Sequence, residues 1–111
     1  MKTPCSNHAY EATFDELIES VKLWADSRGL INPDNVKSQM LKVVEEVGET
    51  AASIARNDRS LIKDGIGDSF VTLIILSLQV GVDPTECLQV AWAEIKDRKG
   101  KTQNGVFIKE Q

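Results

Sequence analysis

The sequence predicts an all-α fold: a single domain of 111 residues built as an antiparallel bundle of four helices, and oligomeric. Three observations carry this. Four segments place apolar residues at helical spacing and are bounded by start and stop residues. No segment alternates with period two, the short run Val106-Phe107-Ile108 aside. The connections are short, which favours antiparallel neighbours. A chain of this length buries a modest core when alone, which favours assembly with further copies.

The first helix follows Thr13-Phe14-Asp15-Glu16, a capping box with Thr13 as N-cap and Glu16 at N3. Leu17, Val21 and Trp24 recur at helical spacing, and Gly29 is a stop signal. Asn32-Pro33 opens the second helix, with Asn as cap and Pro at the first helical position. Val36, Met40, Val43, Val47, Ala51 and Ile54 form its apolar stripe. Asn57 and Asp58 break the pattern. A third helix spans about Ser60 to Val80 and stops at Gly81. Asp83-Pro84-Thr85-Glu86 starts the fourth, which carries Leu88, Val90, Ala91 and Ile95. The two ends are expected to differ from the body: residues 1–12 as a flexible segment, and 99–111 as a polar, glycine-containing tail whose Val106-Phe107-Ile108 docks or forms a short strand.

Bulk composition narrows the function. The formal net charge of −4 gives no broad positive field for nucleic acid, so no stable nucleic-acid binding is expected. Cys5 and Cys87 form no CxxC pair, so neither a zinc site nor a disulfide framework is indicated, and a reducing cytoplasm is the simplest setting. Residues 1–10 contain no apolar core of a secretory signal. The stretch Phe70–Val80 is too short to span a bilayer and includes Thr72, Ser77 and Gln79, so no membrane association is expected.

Two acidic constellations remain. Glu45, Glu46 and Glu49 lie within two turns, on an arc of roughly 100° opposite the apolar stripe. They fit a solvated helix face, although Glu45 and Glu49 repel at i,i+4 with only Lys42 near enough to offset them. The third helix is apolar on every side, which predicts a buried helix. Asp64 and Asp68 share one face of it. Asp64 fits the first turn, where the helix dipole favours acids. Asp68 lies further in, where an unpaired carboxylate is costly unless paired, neutralised or metal-bound. Packed antiparallel, the two helices would bring four or five carboxylates to one spot, a donor set suited to magnesium, or to manganese. His8, the single histidine, lies in the flexible N-terminal stretch, which disfavours a His-containing di-iron site and a His acid or base.

Lys42-Val-Val-Glu45-Glu46-Val-Gly-Glu49 followed by Asp64-Gly-Ile-Gly-Asp68 resembles the MazG-like branch of the all-α nucleoside triphosphate pyrophosphohydrolases, with its E-E-x-x-E motif and an E-x-x-D motif on the next helix. The similarity runs from about Phe14 to Lys109. Ile95-Lys96-Asp97-Arg98-Lys99-Gly100 and Asn104-Gly105-Val106-Phe107 resemble the ending of small phage and bacterial members. The resemblance implies hydrolysis of nucleoside triphosphates, often deoxy or non-canonical, to monophosphate and pyrophosphate, a house-cleaning chemistry. It implies magnesium held by the acidic motifs, and homodimers or tetramers. Glu46 and Glu49 match metal ligands, Glu45 the leading acid, which would hold metal or orient water, and Asp68 the second-motif aspartate. The family's second-motif glutamate falls at Gly65 here, with Asp64 one residue earlier as the available acid. Glu45 or Glu49 would accept a proton from water. Lys96, Arg98 and Lys99 would neutralise phosphate charge, or equally complement a helix dipole. On the resemblance alone, Asn104 reaches the ligand from the tail. Trp24, Gln39 and Lys42 are candidates for base and sugar, with core packing the simpler account of Trp24. Trp92, Phe14, Phe70 and Met40 read as core or interface.

Two other readings stay open. One is the related phosphoribosyl-ATP pyrophosphohydrolase reaction. The other is a non-catalytic helical regulatory module whose metal site has degenerated, which the glycine at position 65 keeps in play.

Overall fold

A computed structural model describes residues 11–110. Residues 1–10 of the N-terminal stretch, with Cys5 and His8, lie outside the described residues. Four helices dominate: α1 (Phe14–Ser27), α2 (Val36–Ala55), α3 (Arg59–Gln79) and α4 (Pro84–Ile95), with a hairpin of β1 (Gly100–Gln103) and β2 (Val106–Lys109) after them. The chain divides into two compact units, the first ending at Gly81 and the second beginning at Val82.

In the first unit, helix starts and stops are set by local chemistry. Thr13 Oγ1 accepts from the Glu16 N–H at 3.1 Å, and the Thr13 N–H donates to Glu16 Oε1 at 2.8 Å, completing the capping box. The Thr13 backbone bond, with its side-chain bond second, holds the Glu16 carboxyl below its ordinary pKa. α1 ends in a Schellman motif: Gly29, at φ +70°, donates to Asp26, and Leu30 donates to Ala25. Asn32 caps the next element by accepting from the Asp34 N–H at 2.9 Å. The proline start leads first into one 3₁₀ turn, Pro33–Asn35, and the α-helix begins only at Val36.

The α2–α3 junction explains why these helices run antiparallel. Asn57 takes φ +57° and donates to Ile54, while Asp58 donates to Ser53, so α2 also ends in a Schellman motif. Asp58 then turns its carboxylate to the Leu61 N–H at 3.1 Å and caps α3. One residue thus closes one helix and opens the next, leaving no slack in the turn. α2 and α3 pack along their lengths, and α1 packs on α3. Ile18, Ala25, Val43, Ile74 and Ile75 form the small core among them. Gln39 Nε2 donates to the Thr72 carbonyl at 3.0 Å, and Gln79 Nε2 to the Leu30 carbonyl at 3.0 Å. Phe14 meets Phe70 edge to face at 5.5 Å.

Two expectations are corrected here. α3 is buried at Gly65, against α2, and in its C-terminal half at Thr72, Ile74, Ile75 and Gln79, whereas Leu61, Ile66, Asp68 and Phe70 are exposed. A helix is buried all round only with neighbours all round, and within this unit α3 has two. For the same reason Trp24, expected in the core, is 46% exposed, with the Arg28 guanidinium 5.2 Å from its ring centre. Phe14, Phe70 and Met40 are about half exposed as well.

In the second unit, Asp83 caps α4 by accepting from the Thr85 N–H at 3.2 Å. The tail is a two-stranded antiparallel ribbon pairing Gly100 with Lys109 and Gln103 with Val106. Asn104 and Gly105, at φ +51° and +79°, form its turn. Positive φ at both central residues is what a two-residue hairpin turn of the right twist requires, hence Asn-Gly. Among the described residues no single helix is long and apolar enough to cross a membrane.

Candidate metal centre

Glu46, Glu49, Ser53 and Arg56 recur every three or four residues, so they share one face of α2. Asp64 and Asp68, four apart, share one face of α3. The tight turn at Asp58 brings these faces together, and the residues line a single cleft of about 260 Å3. Gly65 lies at its floor. A Cβ there would collide with Thr50 Oγ1 and stand 3.1 Å from Thr50 Cβ. The missing side chain is what lets α2 and α3 approach this closely. Thr50 has no freedom to withdraw without cost, because its hydroxyl donates to the Glu46 carbonyl at 2.8 Å. The glycine at the position of the second-motif glutamate is therefore a packing requirement of this helix pair. In place of that glutamate α3 offers the cleft Asp64, one residue earlier, beside Asp68.

The first acidic motif is divided by the helix it lies on. The Glu46 side chain is 12% exposed and lines the cleft. The Glu45 side chain is 54% exposed, does not line it, and accepts from Lys42 Nζ at 2.7 Å. Lys42 Nζ also lies 3.6 Å from Glu46 Oε2. The bond to Glu45, ahead of all other causes, raises the Lys42 pKa and keeps its ammonium charged. Lys42 thus sits at the rim, held by one motif glutamate and leaning toward another.

Asp64 and Asp68 also border a second, more open hollow of about 530 Å3, with Ser60, Lys63, Gly67 and Val71. Among the described residues, no three His, Cys, Asp or Glu side chains converge closely enough, as they stand, to hold one ion. The donor set nonetheless suits a hard divalent cation: four carboxylates on two facing helices and no histidine or cysteine on the cleft wall. Four like charges around one cleft repel, and a cation relieves that repulsion.

The other sequence candidates occupy different places. The Gln39 amide donates to the Thr72 carbonyl, tying α2 to α3. Trp24 lies under Arg28 on α1. In the second unit, Arg98 Nη2 pairs with Glu94 Oε1 at 3.0 Å, Lys96 follows α4 as its C-cap, and the Lys99 carbonyl accepts from the Glu110 N–H. Asn104 occupies the hairpin turn, which by itself accounts for an asparagine there. Sequence reasoning passed over Arg56. The signal for it was its spacing of seven residues from Glu49, which puts both on one face of α2.

A mostly helical chain whose two antiparallel helices present facing carboxylates defines a class, the all-α proteins with an acidic cleft. Comparison with known proteins gives the family. Residues 34–101 match the MazG nucleotide pyrophosphohydrolase domain, and the chain belongs to that family. The matched stretch contains Glu46, Glu49, Arg56, Asp64 and Asp68. An uncharacterized 18.2 kDa protein from the rep-hol intergenic region of Haemophilus phage HP1 (strain HP1c1) is 38% identical over 72 residues, covering 65% of this chain and 44% of that protein. The chain thus spans less than half the length of this relative. No solved structure matches it.

Proposed function

We propose that the protein is a magnesium-dependent pyrophosphohydrolase that cleaves nucleoside or deoxynucleoside triphosphates, non-canonical ones included, to monophosphate and pyrophosphate. The observation that carries this is the cleft in which Glu46 and Glu49 face Asp64 and Asp68, within the stretch that matches the family. Glu46, Glu49, Asp64 and Asp68 would hold magnesium, or manganese in its place. When bound, the ion supplies positive charge for the phosphate oxygens and a water of lowered pKa.

The chain's own residues do the rest. Glu49, on the cleft face, accepts the proton of the attacking water when it is not fully engaged as a ligand. Glu45 acts from outside the cleft: by holding Lys42 it keeps an ammonium at the rim, beside Glu46 and within reach of an incoming anion. Lys96 and Lys99 are further candidates for phosphate contacts, and Trp24 for stacking on the base.

The protein works as a homo-oligomer in this reading. Val47, Ile54, Ile66, Phe70 and Leu73 line an apolar groove of about 330 Å3 between α2 and α3, and such a surface calls for a partner. The exposed, free thiol of Cys87 fits a reducing cytoplasm. Pyrophosphate release across a panel of nucleoside triphosphates, with magnesium and with EDTA, tests the reaction. Release that requires the metal supports it, and no release from any nucleotide by the folded protein refutes it.

A further inference from the structure

The geometry points to Arg56 as the residue that grips the terminal phosphates of the substrate, the part that leaves as pyrophosphate. This rests on the pyrophosphohydrolase reading. Arg56 is the one cation on the cleft wall among the described residues, facing a space shared with Glu46, Glu49, Asp64 and Asp68. Despite that company, its guanidinium lies within 4 Å of no carboxylate among the described residues. Its side chain also makes no hydrogen bond there that would spend its donors. The backbone N–H of Arg56 closes α2 on Ala52 and Ile54, a role any residue at that position fills. The other nearby cations are placed differently. Lys42 is held by Glu45 at 2.7 Å, and Lys63 borders the adjoining hollow.

Size and charge select the ligand. A cleft of about 260 Å3 falls below the range of roughly 300–1,000 Å3 that encloses whole small-molecule ligands, so it takes a fragment. Carboxylates that would hold metal, beside one guanidinium with free donors, suit a metal-chelated diphosphate: the cation would supply positive charge to the phosphates, and the planar fork meets the remaining phosphate oxygens. The nucleoside and α-phosphate then lie outward from this cleft. When the α–β bond breaks, Arg56 holds the charge that gathers on the departing diphosphate.

Two titrations on the intact chain test this: manganese alone, then inorganic pyrophosphate at saturating magnesium. In Arg56→Ala, pyrophosphate affinity should fall about 10- to 100-fold, the range for a lost hydrogen bond to a charged group. Manganese affinity should hold or rise, because a positive charge has left the cleft. Arg56→Lys should fall in between, keeping the charge but losing the fork. In turnover, the alanine variant should lose kcat/KM in step with pyrophosphate affinity. Unchanged pyrophosphate affinity in Arg56→Ala, with manganese still bound, overturns the assignment and leaves the metal centre intact. Loss of manganese and pyrophosphate together shows Arg56 to be structural and also overturns it. A wild-type protein that binds no manganese refutes the metal centre itself.

Discussion

At the level of single residues, adjacency in sequence does not confer equal roles. Glu45 and Glu46 are neighbours, yet helical geometry turns them about 100° apart. One faces α3, and the other lies on the open side with Lys42. A direct ligand should matter more than a residue acting through a neighbour. Glu46→Gln and Asp68→Asn should each lower kcat/KM by at least about 100-fold, since even residues behind the ligands of a metal commonly cost 10–100-fold. Glu45→Gln should cost less than either, with its effect seen mainly in KM. Steady-state pyrophosphate release checks the ranking, and a Glu45→Gln loss as large as that of Glu46→Gln would place Glu45 among the ligands. The acid cluster itself was legible from spacing. Its division was not, because whether Glu45 or Glu46 faces α3 depends on how α2 is rotated against its partner helix.

At the level of elements, the α2–α3 hairpin is the device that makes the site. Its turn rests on Asn57 and Asp58, and its closeness on Gly65 against Thr50. Gly65→Ala should lower the melting temperature: overpacking costs about 1–3 kcal/mol, and the better helix propensity of alanine returns about 1 kcal/mol at most. Thr50→Ala in the same chain should recover part of the loss, since the hydroxyl is the atom in the way. Thermal melts of the two single variants and the double variant check this, and a Gly65→Ala protein as stable as wild type would contradict the close approach. Helix starts at Thr13, Asn32 and Asp83 were legible because each is a local hydrogen-bonding pattern. Asp58 was read only as a breaker, although aspartate just before a helical stretch is also a cap. The hairpin was half seen in Val106-Phe107-Ile108, although Asn104-Gly105 is the strongest short signal for such a turn. The Gly65–Thr50 contact joins two helices, and nothing in either segment alone announces it.

At the level of the whole molecule, the apolar surface exceeds what one copy covers. The sequence presented α3 as apolar all round, yet Ile66, Phe70 and Leu73 remain exposed beside Val47 and Ile54. Helical periodicity says which residues are apolar but not which chain covers them. In our account a second copy does. Phe70→Glu should therefore shift the protein toward monomer in sedimentation or light scattering while the helical circular dichroism persists. A wild-type protein that is monomeric at micromolar concentration would contradict this. The family assignment covers residues 34–101, so it accounts for α2, α3 and α4 and for all four cleft carboxylates. We propose that these carboxylates serve magnesium-dependent release of pyrophosphate. The most direct test is pyrophosphate release from a panel of canonical and modified nucleoside triphosphates, with magnesium, with EDTA, and in Glu46→Gln. Release with magnesium that EDTA and the substitution both abolish is the expected result. Release that persists in EDTA or in Glu46→Gln, or no release from any nucleotide by folded protein, would contradict it.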